Sequence, residues 1–249
     1  MTDRANGYFE AFVNSRATSV GSVEKALMGQ IVPVVQRVIP RSQVRWAGSQ
    51  RKGTAVVGSD LDMCVESPDP VTEALRRDLR AALEASIGRA VHVRAHVVRV
   101  GSGAGLPKLD IAFANAAFGS RPLPDLSEFK DQRGRQVAAR ALKLSTRSGG
   151  LPRVPGWALE ALVVHLDAPS GRGGLELFQR INGWLEAATP AAIEGVLRHA
   201  NFGRWNPVWS AGVPGTLEAL RNQTKALRRR SPPPEGWRSL EDAGRWLCP

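Results

Sequence analysis

The chain has 249 residues, of which 43% are hydrophobic and 23% are charged, which is typical of a folded globular protein and too apolar for general disorder. Its two cysteines exclude a disulfide framework and a cysteine-based zinc cluster, and no apolar run approaches the roughly 20 residues of a membrane helix. The N-terminus lacks the basic start and apolar centre of a secretion signal. We therefore expect a reduced, cytoplasmic protein with no membrane partner.

The net charge of +11 comes from 34 basic residues, most of them arginines, against 23 acidic ones. Arginine presents a planar fork that matches phosphate oxygens, so one interpretation is a polyanionic partner such as a nucleoside triphosphate, RNA or DNA. The other interpretation is a coding bias that uses arginine wherever lysine would serve. The high alanine, glycine and proline content favours that bias, and the charge alone leaves both open.

In chain order, the first half of the sequence predicts a mixed sheet with helices. Apolar residues at helical spacing predict helices over 22–37 and 71–87, and β-forming residues predict strands over 43–47 and 61–66. Residues 90–100 alternate between apolar and polar side chains, which predicts one strand. A glycine-rich turn at 101–105 then leads to a return strand over 106–113, which makes a hairpin.

The second half of the sequence has a different character. Residues 121–126 contain two prolines and indicate a boundary. The segments that follow are all predicted to be helical: 127–147, 157–166, 174–185, 190–198 and 216–230. We therefore expect an α+β fold in two parts, a sheet unit over 1–126 and a helical unit over 127–249.

The most informative stretch is residues 46–65, which read WAGSQRKGTAVVGSDLDMCV. Asp60 and Asp62 are two residues apart, so on a strand both carboxylates point to one face. Two like charges this close need a cation between them, and Mg²⁺ takes carboxylate oxygens together with substrate phosphates. The alternative is a pair of exposed acids at the end of a strand. Gly48 and Ser49 follow a predicted strand, where a glycine lets the backbone approach a phosphate, and Ser59 adjoins the first carboxylate.

The pattern G-S-x-x-x-G-T-x-x-x-x-S-D-L-D in this stretch resembles the signature of the DNA polymerase β-like nucleotidyltransferase superfamily. It is most similar to the branch that holds the oligoadenylate synthases and the bacterial cyclic-oligonucleotide synthases related to cyclic GMP-AMP synthase. The resemblance implies a bilobed fold: a palm-like catalytic sheet, then a helical lobe that closes the nucleotide cleft. It also implies a third carboxylate, which LPKLDIAF supplies as Asp110, and a lysine facing the donor triphosphate, which RALKL supplies as Lys143.

The same resemblance implies a mechanism of nucleotidyl transfer. Asp60 and Asp62 would hold two Mg²⁺ or Mn²⁺ ions, while Asp110 would bind the catalytic ion and accept the proton of the attacking sugar hydroxyl as pyrophosphate leaves. The residues implied to bind the nucleotide are Gly48, Ser49, Ser59 and Lys143. Residues 154–166, VPGWALEALVVHL, match a further family turn, except that Gly156 stands where the family usually has serine.

Several of these side chains also have ordinary structural interpretations. Lys143 taken alone is a typical solvated helix lysine, and it gains weight only because it follows the third carboxylate. His92 and His96 are too far apart on a strand to share a metal ion, so we expect them at the surface. The later tryptophans are predicted to pack helices, with base stacking as the alternative: Trp184, Trp205, Trp209, Trp237 and Trp246.

Three functions are open from these observations. The first is an enzyme that joins nucleoside triphosphates into short linear or cyclic oligonucleotide signals, as in bacterial antiphage signalling. The second is an enzyme that extends the 3′ end of an RNA or tRNA, which the charge of +11 and the short chain favour. The third is a catalytically inactive nucleic-acid-binding module, which the presence of all three aspartates argues against. Nucleoside triphosphates are the expected partners, with RNA or another nucleic acid as acceptor or activator.

Overall fold

The computed structural model describes residues 3–94, 97–103, 107–114, 128–148, 154, 156–167, 171–199, 218, 221–222, 225–227, 229 and 234–248. Outside these residues lie the boundary predicted at 121–126, most of the helix predicted at 216–230, His96, Trp205 and Trp209. The chain divides into two compact units. One consists of Thr18–Leu126, and the other of Met1–Ala17 together with Ser127–Pro249.

The described elements are, in chain order, α1 (Asp3–Ser15), α2 (Ser22–Val38), β1 (Gln43–Trp46), α3 (Gly48–Lys52), β2 (Leu61–Glu66), α4 (Glu73–Ile87), β3 (Val91–Val93), β4 (Val97–Val100), β5 (Leu109–Ala114), α5 (Arg133–Ser148), α6 (Gly156–Leu166), α7 (Gly174–Ala187), α8 (Pro190–His199) and α9 (Leu240–Leu247). A mixed five-stranded sheet with many helices confirms the α+β class.

The sheet unit is built on the strand order β1-β2-β5-β4-β3, in which only the β2–β5 pair is parallel. Alternate strand residues form one apolar core with α2 and α4, because side chains two apart on a strand share a face. The fully buried members of this core include Ile31 of α2, Leu79 and Leu83 of α4, Leu61 and Met63 of β2, and Leu109 and Ile111 of β5. Covering one face in this way leaves the opposite face for polar side chains.

Most predicted elements of the sheet unit are confirmed. The strands at 43–47, 61–66 and 106–113 correspond to β1, β2 and β5, and the helices at 22–37 and 71–87 correspond to α2 and α4. Thr72 caps α4 by accepting a hydrogen bond from the Leu75 N–H, and Gly88 ends it in the left-handed region at φ +61°. The segment between β1 and β2 contains a short helix, α3, that the sequence analysis does not predict.

The single strand predicted over 90–100 is wrong, because these residues form the antiparallel hairpin β3–β4. Val91 lies opposite Val100, and the chain reverses where the Arg94 N–H donates to the Val97 carbonyl. An alternating pattern does not reveal such a reversal, and the turn also changes which residues face the core. Val98 and Val100 are buried rather than Val97, so Arg99 shares the outer face with His92.

The helical unit takes in the N-terminal residues as well as the second half of the chain. Residues 1–17, which are predicted to belong with the sheet, belong to the helical unit in the structure. Phe9 of α1 is fully buried, with its ring 5.4 Å from Phe178 of α7 and 6.3 Å from Trp237. The apolar stripe of α1 therefore finds its partners in this unit. Trp237 and Trp246 are both buried and pack helices together, as predicted.

Candidate active site

A row of polar residues crosses the sheet on the face opposite the α2 and α4 core. Asp62 of β2 lies opposite Asp110 of β5, Asp110 lies opposite Arg99 of β4, and Arg99 lies opposite His92 of β3. Directly opposed residues on neighbouring strands have side chains on the same face. The register therefore brings together two aspartates that are far apart in sequence, and it sets an arginine beside them.

Asp60 extends this group along the chain. It precedes β2 by one residue, and its carboxylate lies 2.8 Å from the ammonium of Lys108, which stands two residues before Asp110. The side chain of Asp60 is 35% exposed and that of Asp110 is 18% exposed, so both remain open to solvent in part. The three carboxylates predicted from the sequence thus lie at one end of the β2–β5 pair.

Arg99 neutralises the middle of this group. Its Nε donates to Asp110 Oδ1 and its Nη2 to Asp110 Oδ2, each at 2.7 Å, which is the two-pronged geometry that arginine forms with carboxylates. The hydrogen bond to Asp110 raises the pKa of Arg99, burial opposes that rise, and the negative charges of Asp110, Asp60 and Asp62 add to it. All three aspartates therefore act on one guanidinium.

Gly48 touches the same carboxylate group through its backbone. It has φ +55°, and a Cβ at this position would overlap the carboxylate of Asp62. Glycine is thus required twice, for the left-handed backbone and for the close approach. Ser49 follows in α3 and is partly buried, so the predicted Gly-Ser pair starts a helix directly against Asp62.

Two other predicted site residues have structural partners of their own. Ser59 is 8% exposed, and its Oγ accepts a hydrogen bond of 3.0 Å from the Val56 N–H, which closes the turn before Asp60. Lys143 belongs to the helical unit, where its Nζ lies 2.8 Å from Oε1 of Glu160. A Cβ at Gly156 would lie only 3.0 Å from Lys143 Cε, so the glycine leaves room for this lysine.

The three carboxylates at this end of the β2–β5 pair have the chemistry of a site for a hard divalent cation, because Mg²⁺ prefers oxygen ligands. Within the described part of the chain, however, no group of three or more Asp, Glu, His or Cys side chains is arranged to hold a metal ion. The carboxylates of Asp110 and Asp60 are turned to Arg99 and Lys108, two cations supplied by the chain itself.

Residues 29–109, which span α2 to the start of β5, match the family described as the nucleotidyltransferase domain. The chain carries a nucleotidyltransferase domain. This match covers the loop with Gly48 and Ser49 as well as Asp60 and Asp62, and it ends one residue before Asp110. It confirms the resemblance to nucleotidyltransferases over these residues, and residues 29–109 form a nucleotidyltransferase domain.

Solved structures of other nucleotidyltransferases share the fold. The Cid1 poly(U) polymerase bound to MgGTP aligns with a TM-score of 0.67 at 12% identity, over 93% of this chain and 96% of that one. The poly(A) polymerase of the GLD-2–GLD-3 complex aligns at 0.66 and 10% identity, over 99% and 98%. The CdnE cyclic dinucleotide synthase of Elizabethkingia meningoseptica aligns at 0.61 and 14% identity, over 90% and 97%. At these identities the likeness shows the fold alone.

No curated protein matches the sequence of this chain. Among the helices that the structure describes, none combines the length and the apolar character needed to cross a membrane.

Sequence reasoning missed the two basic residues of the candidate site, Arg99 and Lys108. Lys108 could have been found, because it stands two residues before Asp110 on a predicted strand and so shares its face. Arg99 could not, because its position depends on the β4–β5 register and on the reversal at Arg94. A shift of one residue would turn Arg99 to the core face.

Proposed function

We propose that this nucleotidyltransferase joins nucleoside triphosphates without a template into short linear or cyclic oligonucleotide signals, with release of pyrophosphate. The observation that carries the proposal is the side-by-side placement of Asp62 and Asp110 on adjacent parallel strands, with Asp60 two residues before Asp62. The wording of residues 48–62 favours this product class over RNA tailing. A cytoplasmic location is part of the proposal, and it suits Cys64 and Cys248, which form no disulfide in the structure.

In this proposal Asp60, Asp62 and Asp110 would hold two Mg²⁺ or Mn²⁺ ions, which would supply compensation of the charge on the phosphates. Asp110 accepts the proton of the attacking ribose hydroxyl. The hydroxyl oxygen bonds to the α-phosphorus of the donor, and the bond from that phosphorus to the bridging oxygen breaks, so pyrophosphate leaves with its electron pair. The chain's contribution is therefore to orient the two reactants and to compensate charge.

The phosphate tail of the donor is assigned to the start of α3. Gly48 lies against Asp62, so a phosphate held by its backbone would lie beside the ions. Ser49 adds a hydroxyl one residue further on. Ser59 stays in the proposal as a phosphate ligand: its Oγ accepts the Val56 N–H, and a hydroxyl that accepts a hydrogen bond can also donate one. A donor-phosphate role for Lys143 stays a proposal, and the Lys143 and Glu160 variants discussed below test it.

The function is tested with purified protein, Mg²⁺ or Mn²⁺ and four α-labelled nucleoside triphosphates, with and without RNA. Small phosphatase-resistant products without RNA support the proposal. The variant Asp60→Asn with Asp62→Asn should abolish them while the protein stays folded, because removing two crowded charges relieves repulsion. The matched control is Asp69→Asn with Asp78→Asn, two exposed acids of the same unit, which should keep full activity. Full activity in the site variant would disprove the assignment.

The second candidate is terminal nucleotide addition to the 3′ end of an RNA or tRNA. The net charge of +11 favours it, since phosphate backbones are bound chiefly through basic side chains. The RNA terminal uridylyl transferases and poly(A) polymerases that share the fold are compatible with it. Elongated RNA in the tube that contains RNA would identify this activity. Retention of RNA on a filter without incorporation in either tube would instead indicate an inactive nucleic-acid-binding module.

A further inference from the structure

Arg99 pairs with Asp110, one of the three aspartates assigned above to the cation site. Each oxygen of Asp110 accepts one N–H of its guanidinium, at 2.7 Å. The negative charges of Asp60 and Asp62 also act on Arg99. One monovalent cation of the chain therefore stands where three acidic side chains converge.

Arg99 supplies the counter-charge of Asp110. Arg99 on β4 pairs with Asp110, and Lys108 just before β5 pairs with Asp60. Removal of the guanidinium would leave Asp110 beside Asp62 with no counter-charge of its own, and close like charges repel. Addition of a divalent cation while Arg99 stays in place would set two cations against each other. Arg99 and a divalent ion can therefore each stabilise the carboxylate of Asp110, but not both at once.

We propose that Arg99 is a built-in counter-ion that competes with divalent cations for Asp110, so that the ion binds as the guanidinium withdraws. The inference rests on the proposed function in one respect, the assignment of the three aspartates as the cation site. The side chain of Arg99 is 32% exposed, so solvent lies within its reach when it leaves Asp110. In the free protein, the pairing of Arg99 with Asp110 holds Asp110 beside the other carboxylates. The same pairing weakens the binding of a divalent cation.

The test measures Mn²⁺ binding alone, without nucleotide, from the electron paramagnetic resonance signal of free Mn²⁺. Replacement Arg99→Gln removes the competing charge, and we expect the Mn²⁺ dissociation constant to fall tenfold or more, because hydrogen bonds to charged groups are strong. The matched control is Arg80→Gln, an exposed arginine of α4 that lies 3.4 Å from Glu84. It loses the same charge in the same unit, so only the difference between the two variants counts.

The proposal is overturned if Arg99→Gln binds Mn²⁺ no more tightly than Arg80→Gln does. Arg99 would then only position Asp110. Should Arg99→Gln fail to fold, Arg99→Lys replaces it. Lysine keeps the charge and lacks the fork, so a smaller gain in affinity than tenfold is expected, and no gain contradicts the proposal.

The variant Asp60→Asn with Asp62→Asn separates this inference from the proposed function. If that variant loses Mn²⁺ binding and Arg99→Gln has no effect, the counter-ion proposal alone is disproved. If the aspartate variant still binds Mn²⁺, the assignment of the cation site is disproved, and both proposals fail with it.

Discussion

Lys143 of α5 and Glu160 of α6 form an ion pair of 2.8 Å in which the lysine side chain is 6% exposed and the glutamate side chain 4%. Burial makes this pair an energetic constraint rather than a surface contact. Two charges out of water are tolerated only together, because the desolvation cost of each is offset by the other. The pair therefore links α5 and α6 whatever else Lys143 does.

Replacement Lys143→Met should lower the free energy of unfolding by about 3–5 kcal/mol, because Glu160 is left as an uncompensated buried charge. Glu160→Leu should cost a similar amount. The double variant should recover most of the loss, since a pair of apolar side chains of similar volume can replace a buried ion pair. Urea unfolding followed by circular dichroism measures all three. Additive losses in the double variant would show that the two side chains do not depend on each other.

The same double variant separates the structural and nucleotide-binding roles of Lys143. A stable double variant that has lost nucleotidyl transfer supports the donor-phosphate role, because the fold no longer explains the loss. A stable double variant with the activity of the parent chain restricts Lys143 to its pairing with Glu160. Incorporation of labelled nucleoside triphosphate is the readout.

Gly48→Ala should be strongly harmful to both activity and stability. Alanine in the left-handed region costs roughly 1–2 kcal/mol, and the added methyl group would overlap the carboxylate of Asp62 and displace it. The matched control is Gly29→Ala in α2, where no atom lies within 4 Å of a new Cβ and helix propensity predicts a gain of up to about 1 kcal/mol. Thermal unfolding and nucleotide incorporation measure the two effects. Normal turnover in Gly48→Ala would contradict the placement of Gly48 in the site.

The sequence predicts the acidic residues of the candidate site, but not all of the residues that surround them. The spacing of Asp60 and Asp62 indicates a shared face from two residues alone, and the resemblance supplies Asp110. Arg99 is beyond this reasoning, because its place depends on a hairpin reversal and a strand register set by tertiary packing. The apolar stripe of α1 can be predicted from the spacing of Ala5, Phe9 and Phe12. The unit to which α1 belongs cannot, because its partners are distant in sequence, as Phe178 is from Phe9.

Phe9→Ala tests that assignment of α1 to the helical unit. Phe9 is fully buried between Phe178 and Trp237, so truncation leaves a cavity that should cost about 3–5 kcal/mol of unfolding free energy. Val23→Ala in α2, where the side chain is 56% exposed, should change stability by less than about 0.5 kcal/mol. Hydrogen exchange then locates the effect. Faster exchange in α7 and α9 is expected, and a change confined to α2 and α4 would contradict the assignment.

The capping of α9 by Asp242 predicts a pH dependence of stability. The Arg238 N–H donates to the carboxylate at 2.8 Å, and this hydrogen bond, followed by that of the Arg245 side chain, lowers the pKa of Asp242 below its ordinary value of 3.8. A group whose pKa is lower in the folded protein contributes its stability above the unfolded pKa, and loses it as the pH falls through the folded one. The difference in unfolding free energy between the parent chain and Asp242→Asn should therefore be constant at neutral pH and shrink below 3.8. Urea unfolding between about pH 7 and about pH 2.5 measures it, with Asp78→Asn as the control for loss of one surface charge. A difference that grows on acidification would contradict the capping interaction.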